Sequence, residues 1–441
     1  MALFALAVVA ILAVALNFYL GMPQNAPRVA AFVSGVAQVP VSFGTVEVNL
    51  LKGAHLTDVK VANPAAPREP VLLSVPDLSL TYAPLALSQH RLLLRQVTLV
   101  RPVLALAEVV QGNTSLLPLP AAVVPQSELQ GALRLNVKSL NIEDGTVRVL
   151  NAAGTPTLVL EGLQHGGRLE RTGQEVKAGG QFTAKSLTLG PLKIGDLDSS
   201  YSFEKGVLKI SKLLGTSYHG QWTGTFQIDG STDGMPCDFQ LQANSLDLND
   251  LLKSVAAKPD MVSGTLNLTA AGRGSAGSLS GITAQGSFEV RDGQLIHVGF
   301  IQDLAQAISN KDLAQPDFSE AHGDFSVGQD TITVSSFALT SSQFTLTGGG
   351  TIGFDGGVNF KLTMTFTPDF AKLLPSAVVD RLTAAADGGR SITFSLTGPI
   401  DAPQSDLLKQ LSFINLQGGA PAPAPASAPG SIPPLAPAGT P

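Results

Sequence analysis

Residues 286–308 read "GSFEVRDGQLIHVGFIQDLAQAI". Phe288 and Val290 alternate with Glu289 and Arg291, the period-two pattern of a strand with one apolar face. Asp292-Gly293 then predicts a tight hairpin turn, because Asp and Gly accept the positive φ such turns need. A new strand is expected over Leu295–Val298. The period changes next. Phe300, Ile301, Leu304, Ala305 and Ile308 fall at helical spacing, which predicts a short amphipathic helix over 300–309.

The strand–turn–strand unit recurs along the chain. "LNIEDGTVRVL", "YSFEKGVLKI", "FSVGQDTITV" and "IGFDGGVNFKL" each read as alternation, a turn rich in Gly, Asp, Lys or Gln, and renewed alternation. The repetition predicts an antiparallel meander of about 20 strands. Three further helices are expected: in "LDLNDLLKSVAA" with Asp247 or Asn249 as cap, in "PDFAKLLPSAVVDRLTAAADGG" interrupted at Pro375 and stopped at Gly388, and in "SDLLKQLSFI" with Ser405 as cap.

Composition narrows the function class. Of 441 residues, 14% are charged and 44% hydrophobic, with mean hydropathy +0.23. The net charge of −6 and the lack of a basic patch argue against nucleic acid. A single cysteine, Cys237, excludes an intrachain disulfide. The opening "MALFALAVVAILAVALNFYLGM" carries no charge and is long enough for a membrane-spanning helix. Its length favours an uncleaved signal anchor over the alternative, a cleaved signal peptide.

Chemical motifs are absent or weak. "GRGSAG" at 272–277 matches a dinucleotide fingerprint but is followed by another strand, so it reads as a hairpin loop. Ser217 and His219 share an expected strand without an orienting acid, and the six histidines are scattered. "NTS" at Asn113 and "NLT" at Asn267 match the glycosylation sequon. Neither an enzyme nor a metal or organic cofactor is expected.

A long sheet with one apolar face must cover it. Composition and periodicity leave two ways open: closure into a dry core, or an open trough that an apolar ligand occupies.

The order of motifs resembles the AsmA-like family. At the N-terminal end these are an "L-x-D-V-x-V-x-N-P" unit (Leu56, Asp58, Val59, Val61, Asn63, Pro64), "V-x-x-L-x-L" (Val75, Leu78, Leu80) and "L-x-x-V-x-L-x-x-P-x-L" (Leu94, Val97, Leu99, Pro102, Leu104). At the C-terminal end, the opening stretch and "LTGGGTIGF" at 346–354 are similar to the family's C-terminal domain. The "D-G-x-x-N" segment is reduced to Gly112 and Asn113, and the resemblance is weakest from about 155 to 260.

The resemblance implies a mainly β protein: an N-terminal transmembrane helix, then a long curved antiparallel sheet with an apolar groove and a few short helices. It implies residence in the inner membrane of a Gram-negative cell as a single-pass protein with its bulk in the periplasm. It further implies phospholipid acyl chains as ligand, with an envelope protein or a second copy as partner. The boundaries expected are an anchor at 1–22, a linker or helix at 23–38, a β-groove region at 39–260, an AsmA-like C-terminal β domain at 261–416 and a Pro/Ala-rich tail at 417–441. Groove candidates are Val46, Val48, Leu56, Val59, Val61, Leu78, Leu80, Val97, Leu99, Phe325, Val327, Ile332, Val334, Phe337, Leu339, Phe344, Leu346, Phe360, Leu362, Met364 and Phe366. Phe300, Ile301, Leu304 and Ile308 would cap the groove, unless their helix is an ordinary connector.

Overall fold

The computed structural model describes residue 34 and residues 39–411, except 50–52, 64–70, 84–90, 108, 112–113, 117–133, 152, 173–174, 233, 257–259, 276–277 and 401. The expected anchor and tail, and all of the linker except Ser34, lie outside the described residues. Among the described residues no helix is long and apolar enough to cross a membrane.

The first strands are β1 (Val41–Ser42), β2 (Val46–Asn49), β3 (Gly53–Ala62), β4 (Val71–Tyr82), β5 (Arg91–Val100), β6 (Val103–Ala107), β7 (Val109–Gln111) and β8 (Thr114–Leu116). The long strands follow: β9 (Arg134–Leu150), β10 (Pro156–Thr172), β11 (Glu175–Leu189), β12 (Leu192–Glu204), β13 (Val207–Ser217), β14 (Gly220–Asp229), β15 (Pro236–Asp247), β16 (Val262–Ser275) and β17 (Ser278–Leu295). Last come β18 (Asp317–Gly328), β19 (Thr331–Ser341), β20 (Phe344–Gly353), β21 (Gly357–Phe366), β22 (Thr383–Ala384), β23 (Arg390–Pro399) and β24 (Gln404–Ser405).

Twenty-two of these strands form one long curved sheet, while β7 and β8 pair only with each other. Neighbours are antiparallel, as the meander reading expects, with one exception. β9 lies parallel to β5 and β6. The chain bends between those two strands at Arg101, whose φ of 50° breaks the extended backbone.

Three of the expected turns are hairpins. Lys205-Gly206 joins β12 to β13 and Gln329-Asp330 joins β18 to β19, each with two successive positive φ values. That pair of left-handed residues defines the tightest hairpin turn. Residues 354–356 join β20 to β21.

The other two expected turns are not turns. β9 runs straight through Asp144-Gly145 and β17 straight through Asp292-Gly293. Only the Asp is left-handed in each, at φ 54° and 51°. At these two sites the single left-handed residue inserts a bulge and leaves the strand running, whereas the successive pairs at 205–206 and 329–330 reverse it. Of the strand expected over Leu295–Val298 only Leu295 is strand, the last residue of β17, and residues 296–298 instead lead irregularly into the helix that starts at Gly299.

These bulges share a task. A side chain's face alternates along a strand, so one inserted residue shifts every later position to the other parity. In β17 the inward positions are 284, 286, 288 and 290 before Asp292, then 293 and 295 after it. In β15 they are 237, 239, 241 and 243, then 246 past the left-handed Ser245. In β3, β12 and β19 the same shift occurs at Asp58, Asp196 and Ser336. Apolar residues follow the shift each time, so one face stays apolar across the sheet.

Glycines sit opposite aromatic rings on that face. Phe239 pairs with Gly272, Phe288 with Gly323, Phe318 with Gly293, Phe325 with Gly286 and Phe360 with Gly350. A methyl group on Gly286 would meet the Phe325 ring at 2.6 Å. The rings thus lean over their glycine partners instead of standing upright, the arrangement that rescues a bare glycine in a sheet.

Helices gather near the C-terminal end: α1 (Leu248–Ala256), α2 (Gly299–Ala307), α3 (Pro368–Ala371), α4 (Ser376–Val379) and α5 (Leu407–Leu411). Asp247 caps α1, its carboxylate accepting from the Asp250 amide at 2.9 Å. The third expected helix is two single turns, α3 and α4, flanking Pro375, and its later part carries β22 instead of helix. Ser405 Oγ accepts from the Leu407 amide at 3.1 Å at the start of α5. β15 and β16 pair directly across the boundary expected near residue 260.

The bulges and glycines are directly testable by thermal unfolding. Asp292→Gly should change stability by less than about 0.5 kcal/mol, whereas Asp292→Val should lose about 1–2 kcal/mol, because a β-branched residue resists positive φ. Gly286→Ala should lose about 2–3 kcal/mol through overpacking, since its new methyl would also collide with the Thr269 carbonyl. Gly299→Ala, with open space around it, should be neutral or gain up to about 1 kcal/mol at the start of α2.

Candidate functional site

Directly paired residues on neighbouring strands present their side chains on the same face. One such row, from β3 to β23, reads Ala54, Leu80, Val97, Leu140, Gly167, Gly180, Tyr201, Ile210, Phe226, Phe239, Gly272, Ala284, Val327, Ile332, Ile352, Val358 and Gly398. The next row, from β2, reads Val46, Leu56, Leu78, Leu99, Ile142, His165, Phe182, Ser199, Leu213, Gly224, Leu241, Ala270, Gly286, Phe325, Val334, Gly350, Phe360 and Leu396. Neither row contains Asp, Glu, Lys or Arg. The reverse face carries rows such as Lys209, Gln227, Asp238, Arg273 and Thr283.

Burial divides the apolar face into three zones. At the N-terminal end Leu56, Val59, Val75 and Leu78 are completely buried in one cluster that reaches Leu169 of β10. At the C-terminal end a second cluster runs from Ala243 to Leu411. Between them, Phe182, Tyr201, Phe203, Ile210, Phe226, Phe239 and Leu241 are only half-buried.

The helices account for the C-terminal closure. Ile301, Leu304, Ala305 and Ile308 of the α2 segment are buried with Leu246, Val290, Phe318 and Phe366 of the sheet. The Phe300 ring lies 5.3 Å from that of Phe394, which pairs with Leu362. α3 adds Phe370, stacked on Phe366 at 5.8 Å, and α5 adds Leu407 and Leu411.

The expected groove residues thus fall into distinct settings. Val46, Leu56, Val59, Val61, Leu78, Leu80, Val97 and Leu99 belong to the N-terminal cluster, and Leu339, Phe344, Leu346, Leu362, Met364 and Phe366 to the C-terminal one. Phe337 and Phe360 pack against the latter. Phe325, Val327 and Ile332 are half-buried and Val334 is buried. Val48 pairs with Ala54, and its side chain is outside the description. The sequence reading missed the half-buried middle, Phe182 to Leu241. Its signal was available in the alternation of "YSFEKGVLKI" (201–210).

A shallow concavity of about 660 Å³ lies over β13 to β18. Most of its lining comes from the polar rows, including Lys209, Gln227, Asp238 and Arg273, with Ile210, Phe226 and Phe239 between them.

The weak chemical motifs resolve structurally. Ser217 ends β13, but Tyr218-His219 is the hairpin tip with both φ values positive, so His219 is outside the strand expected to hold it. Ser217 Oγ accepts from Trp222 Nε1 at 2.6 Å. His219, Asp247 and Asp250 approach one another, but His219 is 79% exposed and Asp247 serves as the α1 cap. Gly272–Ser275 complete β16 at its turn into β17, with no helix following.

The AsmA family model matches residues 163–344, from within β10 to the start of β20. No curated protein and no solved structure matches the chain. The matched segment, about two fifths of the chain, holds the entire half-buried middle of the apolar face, including the part where the resemblance read from sequence is weakest, and over that segment the chain is similar to the AsmA family.

Proposed function

We propose that this protein is an inner-membrane-anchored periplasmic lipid carrier whose apolar face holds phospholipid acyl chains and helps move lipid toward the outer membrane. AsmA-like character and a large β-sheet fit a lipid-transfer or envelope role in general. The observation that carries the finer reading is the half-buried middle of two rows that hold no charged residue, set between two closed ends. A sheet with a dry core has no use for an apolar face left part-wet along several strands.

The physical chemistry suits transfer. Each acyl methylene removed from water contributes roughly 0.8 kcal/mol, without directional bonds. A chain can therefore leave a bilayer for the trough and shift along it at little cost. The laid-over Phe rings on Gly keep the floor low where an acyl chain would run. The wet reverse face keeps the sheet soluble. The role of these residues is binding, with no bond made or broken.

A structural envelope role with a fully closed core is the second reading, favoured by the two buried clusters. Mass spectrometry of phospholipid co-purified with the full-length chain separates the two. Wild type should carry phospholipid. Phe226→Asp, at a half-buried position, should remain folded, losing less than about 2 kcal/mol, and should lose the bound lipid. Phe366→Asp, at a fully buried position, should fail to fold, since an unpaired buried charge loses more than about 4 kcal/mol. A lipid-free wild type, or a Phe226→Asp variant that unfolds, would establish the closed core instead.

A further inference from the structure

Resting on the acyl-chain reading above, we infer that His165 and Tyr201 form a polar stop in the trough, which binds an acyl carbonyl oxygen. The two residues lie at adjacent rows of the apolar face, on β10 and β12. His165 Nε2 and Tyr201 Oη are 2.8 Å apart, and the ring centroids 5.7 Å. Their surroundings are apolar: Ile142 and Phe182 flank His165, and Gly180 and Ile210 flank Tyr201.

Glycine makes room for the pair. Gly167 and Gly180 are direct partners, so the row lacks two successive side chains beside Tyr201. A methyl on Gly167 would lie 2.9 Å from His165 Cε1 and Nε2, so the imidazole leans into the space these glycines leave. The imidazole takes up that space and sets its Nε2 beside the Tyr201 hydroxyl, two hydrogen-bonding groups in an otherwise apolar stretch of the face.

Proton arithmetic gives the pair its ligand. Burial holds the His165 pKa below its usual value, so the ring is neutral at pH 7 and carries one N–H. The Leu140 carbonyl opposes that shift, but Nδ1 makes no aligned hydrogen bond. Burial likewise pushes the Tyr201 hydroxyl up, which keeps its proton. The pair therefore holds two donors and uses one between its own members. If Nε2 accepts, the Nδ1 proton is buried on the side of the Leu140 carbonyl; if Nε2 donates, the tyrosine proton is unused. Ser199, next along the row beyond Phe182, donates its proton to the Lys212 carbonyl and makes no bond to the pair. With Nε2 donating, the Tyr201 proton is left for an oxygen from outside the pair, and the oxygen an acyl chain carries is its carbonyl.

The test uses the full-length chain held in amphipol, with N-phenyl-1-naphthylamine as an apolar fluorescent probe lacking any carbonyl. Palmitate and methyl palmitate then compete for the trough, one offering a carboxylate and the other an ester carbonyl. Tyr201→Phe keeps the ring and removes the hydroxyl. It should weaken at least one competitor roughly two- to tenfold, the worth of one hydrogen bond, and leave naphthylamine affinity unchanged. The competitor that weakens identifies a free acid or an ester as the oxygen source. His165→Leu should act in the same direction. Equal competition in wild type and both variants would overturn the inference while leaving the apolar trough intact. So would a parallel loss of naphthylamine binding, which would mark general damage to the face. A wild type that binds no probe at all would remove the trough itself, and the polar stop with it.

Discussion

The whole sheet depends on keeping its side chains in phase. A strand longer than about ten residues twists out of register with a flat neighbour unless it is bent. Strands here reach 18 residues in β17 and 17 in β9 and β10. The bend comes from single residues in the left-handed conformation, among them Asp58, Asp144, Asp196, Ser245, Asp292 and Ser336. Each would turn the sheet inside out if the apolar positions kept strict alternation. They do not: the apolar set moves by one residue at each bulge, and a single face survives from β3 to β23. Asp, Asn and Ser suit these positions because a short polar side chain tolerates the left-handed region better than a branched one.

Once the face is continuous, its ends and middle have different fates. Helices α2, α3, α4 and α5 bring Ile301, Leu304, Phe370, Val378 and Leu407 onto the C-terminal rows and bury them. The N-terminal rows are buried around Leu56 and Leu78. Nothing comparable covers Ile210, Phe226 and Phe239 among the described residues. On the lipid-carrier proposal, stability and binding are thereby separated in space. The buried ends supply hydrophobic free energy for folding, and the middle retains apolar area that a ligand can cover.

Much of this was legible in the residues. The period-two alternation fixed the fold class, and the positions of α1, α2 and α5 followed from helical spacing and from Asp247 and Ser405 as caps. The Lys205-Gly206 and Gln329-Asp330 hairpins were equally plain. Asp144-Gly145 and Asp292-Gly293 were not, because the same dipeptide serves a bulge or a turn. The choice is decided by the strand pairing on both sides. β17 continues past Asp292 because β16 and β18 both offer it partners there.

By itself, the sequence determined that one face would be apolar and one wet, since side-chain chemistry and the parity of alternation are local properties. It also determined the glycines that admit Phe rings and the His165 beside them. Only the tertiary structure decided which apolar residues are core and which are surface. Leu362 and Ile210 look alike in an alternating strand, yet one is buried near Phe394 and the other is half-open. The difference lies in what packs above each residue, and helices distant in sequence provide it. Burial is a property of neighbours, and the pairing of distant strands and helices sets which neighbours a residue has.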